Sequence, residues 1–405
     1  MTTSRVSVCA ELIFFGGLMV LPFFFQSGAV LSIASLVATM AVATVSYNIL
    51  LGQTGLLSFG HAFYVGLGGF AVAHVTRLAA DQEWGWFSIA VAPLAGGFLS
   101  LAVALLIGRL NVQRAGVVFS MITLGFAEMI HVYALMDPSF FGGDEGVSFD
   151  RTVGTGLLGM DFGPQIQVYG LIVIWLLIVL AVATAFRTSI LGDLCRAVRD
   201  NETRVQFLGF RVRTIRYLAF CLAAFLAGVS GGLAAINYEV VSAEILSLHH
   251  SGAILIATYI GGVGSFAGSV IGAIVYVFFD SVLSNFTGAW PFHLGMIFIA
   301  SVLFAPAGVV GLIRQAPGRF MHFVLANGWV IAGGYMLTVF SALGFYVGLI
   351  EAVYGMASDA DLGLAKSLMG VSATVLIPMV FVMFMRRSSG SGQGTENAAA
   401  LPGEG

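Results

Sequence analysis

The chain has 405 residues, of which 59% are hydrophobic and only 9% are charged. About a quarter of the residues of a soluble domain are charged, because its surface has to be solvated. The composition therefore excludes a single soluble globule and indicates an integral membrane protein. The formal net charge of −3 is small, and no basic face for nucleic acid is visible, so we expect no nucleic-acid partner.

The apolar residues form stretches that approach or reach the roughly 20 residues needed to cross a bilayer. In chain order they are 11–25, 29–51, 56–76, 87–108, 115–136, 165–186, 217–236, 251–263, 266–285, 292–312, 322–347 and 363–385. The sequence thus predicts an all-α, polytopic transmembrane helix bundle with about 10–12 spans. The first stretch is similar to a secretory signal, but it leads into another apolar stretch, which favours a retained helix. The short stretch 251–263 predicts a half-helix or re-entrant segment, or one kinked unit with the next stretch.

The basic residues predict a cytoplasmic N-terminus. If every stretch crosses the bilayer, this orientation places 14 of the 17 basic residues on the inside, as the positive-inside rule requires. Two loops are longer than simple connectors: an acidic, glycine-rich outside loop (137–164) and an inside loop (187–216) with seven arginines. The small polar residues of 388–405 predict a disordered cytoplasmic tail.

No motif for catalysis or nucleotide binding is found in the sequence. It contains no phosphate-binding loop, and its single lysine, Lys366, lacks the required spacing. Cys9, Cys195 and Cys221 do not have the spacing of metal ligands. We therefore expect a chain that is not an enzyme and has no catalytic residue, metal or cofactor of its own, so that any ATP its activity consumes is hydrolysed on another chain.

The inside loop is the most informative segment. Its residues 191–208 contain no proline and alternate arginines with acids, which predicts a short helix that Gly209 ends as a C′ glycine. Such a helix suits docking to a soluble partner. A positively charged anchor that faces lipid headgroups is an equal alternative.

Five stretches, in order, resemble the LivM-like branched-chain amino-acid permeases of ABC importers. They are YNILLGQTGLLSFGHAFYVGLGGF (47–70), ITLGFAEMIHVYALMDPSFFGGDEGV (122–147), RAVRDNETRVQFLGFRVRTIRYLAF (196–220), GAILIATYIGGVGSFAGSVIGA (252–273) and HLGMIFIASVLFAPAGVVGLI (293–313). The resemblance covers roughly residues 30–314. It implies a permease domain at 1–319, whereas family members usually end near there and this chain adds an apparent pair of helices at 320–387.

The resemblance also implies partners and a location. These are a second homologous permease subunit, two cytoplasmic ATPase subunits that bind ATP, a periplasmic or extracellular solute-binding protein, and a bacterial-type inner membrane. It assigns ATPase coupling within the inside loop to Arg196, Arg199, Asn201, Glu202 and Gly209. Thr203, Arg204 and Gln206 replace the family's usual small residues there, which leaves the fine specificity for the ATPase open. The implied cargo is branched-chain amino acids, with urea, amides and other small solutes carried by close relatives.

Polar residues and glycines within the spans are candidates for the substrate path, because ionisable groups in membranes usually face protein or water. The candidates are Asn48, His61, Thr123, Glu128, His131, Gly261, Gly262 and Gly264. Each has a structural alternative. Glu128 and His131 can bond to each other or to a neighbouring backbone, and His61 can bond between helices, with Asn48 and Thr123 as similar cases. The glycines can permit close packing or a sharp break.

Two further alternatives stay open at this stage. The outside turn of Gly142, Gly143, Asp144 and Glu145 is either a docking element for the binding protein or a solvated loop. The rival to the importer is a secondary transporter driven by an ion gradient, in which Glu128 and His131 bind the ion. A structural membrane subunit is a third hypothesis, resting on the added residues 320–387.

Overall fold

The computed structural model describes residues 28–84, 87–114, 116–143, 145–153, 161–305 and 308–311. Its α-helices are α1 (Gly28–Asn48), α2 (His61–Asp81), α3 (Ala92–Asn111), α4 (Val117–Met136), α5 (Gln165–Thr188), α6 (Ile190–Asp200), α7 (Glu202–Phe207), α8 (Val212–Tyr238), α9 (Leu248–Gly261), α10 (Phe266–Val277) and α11 (Trp290–Phe304). A short strand β1 (Val147–Ser148) pairs antiparallel with β2 (Val240–Val241), with Val147 opposite Val241. The predictions for 11–25, 320–387 and 388–405 fall outside these residues.

Seven of the described helices are long and apolar enough to cross a membrane. Every apolar stretch predicted between residues 29 and 312 coincides with a helix, so the all-α, polytopic bundle is confirmed. As predicted for 251–263, α9 is short, with 14 residues. It ends in a tight turn at residues 262–265, which we call the glycine turn, and α10 then packs back against it.

The described residues up to Ser281, together with those from Ile297 onward, form one compact unit, and Val282–Met296 belong to another. Within the first unit α8 is central and packs against α1, α2 and α3. Three of these helices cross closely at Gly68, Gly96 and Gly228. A Cβ atom built on any of the three would lie within 3.0 Å of the backbone of another. Membrane helices associate through such close backbone packing, because lipid offers no hydrophobic drive for helices to associate.

The outside loop is folded against the ends of two helices. The guanidinium of Arg77 in α2 donates to the carbonyl of Ser148 at 2.7 Å. Arg151 forms an ion pair with Glu239, the residue that follows α8, at 3.1 Å. The basic residues predicted for the outside within the described chain therefore lie together, with the β1–β2 pair, at one end of the bundle.

The inside loop differs from its prediction in one respect. The sequence predicts one helix over 191–208, but the structure breaks it at Asn201, whose backbone is extended with φ −158° and ψ 99°. The Asn201 side chain accepts a hydrogen bond from the Arg204 amide at 2.9 Å and so caps α7. Asparagine competes with helix continuation in this way, which makes it a better N-cap than an interior residue. Gly209 follows α7 with φ +86°, as expected of a glycine that ends a helix.

Candidate functional site

The arginines of the inside loop bind back to their own chain. Arg196 donates to the side chain of Gln53 at 3.1 Å, and Arg199 donates to the carbonyl of Gly52. Both acceptors belong to a π-helical turn, Ile49–Gln53, that continues α1. The last carbonyls of a helix lack partners within it, and a guanidinium satisfies them while complementing the helix dipole. These two residues therefore tie α6 to the end of α1.

One turn earlier in α1, the fully buried side chain of Asn48 reaches the glycine turn. Its Nδ2 donates to the carbonyl of Ser265 at 2.9 Å and to the hydroxyl of Ser269 at 2.7 Å. Its Oδ1 accepts from the amide of Gly264 at 2.7 Å. One side chain thus satisfies donors and acceptors on a segment more than 200 residues away in the sequence.

Gly52 lies where these two sets of bonds meet. A Cβ on Gly52 would be less than 3.0 Å from Asn48 Oδ1 and from the backbone of Gly264, so only glycine fits. Gly264 has φ +88° and lies next to the Arg199 guanidinium. The sequence assigns Asn48 and the glycines to the substrate path and Arg199 to ATPase coupling, but the structure places them in one cluster, which we call the α1–turn junction (Asn48, Gly52, Arg199 and residues 262–265).

His61 and Thr123 both make contacts that hold helices and loops together. His61 is 1% exposed, with Nε2 at 2.6 Å from the Ser46 hydroxyl, and so joins α2 to α1. The Thr123 hydroxyl accepts from the Phe59 amide at 3.2 Å and donates to the Ser120 carbonyl at 2.9 Å. These bonds match the structural alternative for both residues.

Glu128 and His131 form no ion pair with each other in the described part of the chain. His131 Nδ1 lies 3.0 Å from the carbonyl of Ala243, whereas Glu128 is half-buried on α4. For His131 this contact matches the structural alternative in which a neighbouring backbone group satisfies the side chain. Glu128 borders an apolar face of α4 that this chain leaves exposed, with Met121 67% and Met129 55% exposed.

Sequence reasoning missed two residues at the tip of the inside loop. Phe207 is 86% exposed and Leu208 is 70% exposed, directly before Gly209. Of the five residues assigned to coupling, three bind their own chain (Arg196, Arg199 and Glu202), Asn201 caps α7, and Gly209 follows its end. An apolar pair inside a strongly charged loop was the signal that would have found this exposed tip.

The inner face of α6 and α7 is apolar and anchored. Cys195 and Val198 are buried, and burial raises the pKa of the Cys195 thiol to about 12 despite the neighbouring Arg196. Glu202 forms a bidentate pair with Arg216 of α8, at 2.8 and 3.2 Å. One face of the loop is therefore packed against the bundle, while its tip projects.

A basic cavity of about 450 Å³ lies beside this tip. It is lined by Arg211, Arg213 and Arg216 at the start of α8, and by Gln113 near the end of α3. Glu202 balances only one of the three arginines, so the cavity is positively charged. Such a charge is typical of the cytoplasmic side of a membrane protein.

Comparison with protein families decides the class of protein. The family model described as "Branched-chain amino acid transport system / permease component" matches residues 29–307. The chain belongs to this family. The match spans α1 to α11 and includes the inside loop and the α1–turn junction, so the features described above lie within the shared part of the permease.

The permease is similar to two kinds of curated relative. Over 314 residues it is 26% identical to the high-affinity branched-chain amino acid transport system permease protein LivM of Escherichia coli K12, which covers 72% of each chain. The LivM protein of Salmonella typhimurium is 25% identical over the same share. The LivH permease protein of Escherichia coli K12 is 22% identical over 68% of this chain and 92% of its own. No solved structure matches the chain.

Proposed function

We propose that this multi-pass membrane protein is a permease subunit of an ATP-driven importer for branched-chain or related small amino acids. ATP is hydrolysed by separate cytoplasmic ATPase subunits, so no cofactor belongs to this chain. The membrane is a bacterial-type inner membrane. The observation that carries the proposal is the inside loop, a rigid element on the face rich in arginine with a projecting apolar tip.

The tip has the properties of a docking surface for a soluble subunit. Large apolar side chains in water are costly, by about 1.5–3 kcal/mol for each one that stays exposed instead of buried. Phe207 and Leu208 are exposed although Cys195, Val198 and Val205 pack the other face of the loop against the bundle, which favours a partner that covers them. Aromatic residues near the centre of an interface often carry much of the binding energy.

The similarity to known permeases supports both a second permease subunit and a branched-chain amino-acid cargo. This chain is similar to both LivM and LivH, which are named as permease proteins of one kind of transport system. Two homologous permeases that form the path together agree with that double similarity. The exposed face of α4, bordered by Glu128, supports a protein-covered or aqueous surface there, because lipid solvates a carboxylate poorly.

The outside loop supports a soluble solute-binding protein as a further partner. Hydrogen bonds from the Ser139 hydroxyl and amide hold the pKa of Asp137 below its usual range. The hydroxyl and amide of Thr152 do the same for Asp150. Both carboxylates are charged at neutral pH, and the lowered pKa keeps them charged into more acidic solution, so this part of the loop presents acidic groups.

The first test is co-purification of the permease with candidate ATPases. We expect Phe207→Asp with Leu208→Asp to abolish binding, because two charges would enter an apolar contact. Phe286→Asp is the matched control: Phe286 is 82% exposed but follows α10, outside the inside loop. Binding that survives the double change at the tip would contradict the proposed docking surface.

A second test separates the importer from a transporter driven by an ion gradient. The purified permease alone, in vesicles with a proton or sodium gradient, should not accumulate leucine. Adding the ATPases, the second permease, the binding protein and ATP should start uptake. Uptake by the permease alone would refute the proposed function and favour the rival.

A further inference from the structure

We propose that Arg199 and Asn48 are positioning residues through which the inside loop controls the glycine turn, and with it the α9–α10 pair. The inference rests on the proposed function, because it says how movement imposed on the loop by an ATPase reaches the membrane helices. It gives Asn48, Gly262 and Gly264 a role in coupling, in place of the substrate path that the sequence predicts.

The first step runs from the inside loop to α1. Arg196 and Arg199 bond to Gln53 and Gly52 respectively, and both acceptors lie within one π-helical turn. A π-helical turn is uncommon and is often found at functional sites, since it departs from the regular α-helical ladder. A shift of α6 therefore acts first on the last turn of α1.

The second step runs from this turn to Asn48. The Cα of Gly52 lies so close to Asn48 Oδ1 that it leaves no room for a Cβ. Both residues are buried, and closely packed interiors transmit displacement instead of absorbing it. Gly52 therefore cannot move toward Asn48 without displacing its amide.

The third step runs from Asn48 to the glycine turn. The amide of Asn48 bonds to Gly264 and Ser265 in the turn and to Ser269 in the first turn of α10. Thr44, one turn earlier in α1, also donates to the Ser269 carbonyl at 3.0 Å. The bonds join α1 to the start of α10, so movement of the Asn48 amide changes the geometry between α9 and α10.

The position of Arg199 gives the chain of contacts a direct check. A Cβ on Gly264 would lie 3.9 Å from Arg199 Nη1, although no bond joins the two residues. The guanidinium thus touches both ends of the junction, Gly52 by a hydrogen bond and Gly264 by proximity. Loss of Arg199 should loosen a turn to which it is not hydrogen-bonded.

The first experiment measures hydrogen exchange of the Gly264 amide in the purified full-length permease. We expect Arg199→Gln to speed exchange about tenfold, a coupling of ordinary size, because the anchor of Gly52 and Asn48 is lost. Arg199 is partly exposed, so the change leaves the core intact. Arg211→Gln is the matched control: Arg211 lies in the same loop, is exposed, and makes no side-chain bond to α1. Equal exchange in the two variants overturns the proposal.

The second experiment measures ATP hydrolysed per leucine imported by the complete complex in vesicles. Asn48→Leu should raise this ratio about tenfold, because hydrolysis no longer drives the turn. Ser230→Ala, which removes a buried bond of 3.0 Å from α8 to the Thr39 carbonyl, should leave the ratio unchanged. A purely structural role for Asn48 predicts lower amounts of complex with a normal ratio, and that result would overturn the role in coupling. If the proposed function itself is wrong, the wild-type complex does not import leucine with ATP, and this failure is distinct from a changed ratio in Asn48→Leu.

Arg199→Lys and a double variant complete the test. Lysine keeps one donor for the Gly52 carbonyl, so it should restore part of the coupling that glutamine loses. If Arg199 and Asn48 act in one chain of contacts, Arg199→Gln combined with Asn48→Leu should be no worse than Asn48→Leu alone. If the effects of the two substitutions on coupling instead multiply, Arg199 and Asn48 act independently, and the proposal is overturned.

Discussion

The three-helix crossing allows a stability change to be worked out from distances. A Cβ added at Gly228 would come within 3.0 Å of the Gly96 carbonyl oxygen and of the Ser100 hydroxyl. Rotation of the Ser100 side chain does not move the Gly96 oxygen, so α3 has to shift, which strains or breaks the 2.7 Å bond from the Ser100 hydroxyl to the Tyr64 carbonyl that joins α3 to α2. Losing that bond costs about 1 kcal/mol, and overpacking costs about 1–3 kcal/mol. Alanine has a higher helix propensity than glycine, and this gain offsets at most about 1 kcal/mol of the destabilisation. Gly228→Ala should therefore destabilise the permease by about 1–3 kcal/mol.

The control is Gly252→Ala in α9. No heavy atom lies within 4 Å of a Cβ at that position, so the change should be neutral or slightly stabilising. Both variants are compared by equilibrium unfolding in mixed micelles, followed by tryptophan fluorescence. The crossing argument fails if Gly228→Ala unfolds at the same denaturant concentration as Gly252→Ala.

Three further predictions concern single residues. In a variant without Cys9 and Cys221, Cys195 should resist labelling by maleimide at pH 8, because burial raises the pKa of its thiol to about 12. Rapid labelling of the folded permease would show that α6 is not packed. Glu202→Gln should speed hydrogen exchange across α7, because the charge of Arg216, which is only 7% exposed, loses its carboxylate partner. Unchanged exchange would show that this ion pair contributes little to the stability of α7. Glu128→Gln should leave ATP-driven leucine uptake largely intact, whereas complete loss of uptake would favour the ion-coupled rival, in which this carboxylate binds the ion.

Helix positions were predictable because each span has to be continuous and apolar over its own length. That is a local property, so the stretches between 29 and 312 all became helices. The grouping of Arg77 and Arg151 at one end of the bundle was also predictable, since the positive-inside rule depends only on loop composition; their outside placement stays a prediction. The break at Asn201 was missed although asparagine is a strong N-cap, because the arginine–acid alternation on both sides suggested a continuous helix.

The α1–turn junction was not predictable from the sequence. Asn48 and Gly264 are 216 positions apart, and neither carries a local pattern that points to the other. The charges of the inside loop suggested an outward docking role for Arg196 and Arg199, but the buried end of α1 offers acceptors that a guanidinium satisfies well. Burial of Gln53 and exposure of Phe207 are likewise properties of the folded chain, which periodicity alone does not fix.

The exposed face of α4 has a consequence for how the protein is made in the cell. A carboxylate at the centre of a membrane helix costs about 2.5–3.5 kcal/mol at insertion. If a partner subunit covers α4, as proposed above, a newly synthesised copy bears that cost for Glu128 until it assembles. Unassembled copies are thus the less stable population, and proteases of the membrane should remove them first. Glu128 would then limit the number of mature copies to the number of partner subunits available to cover α4.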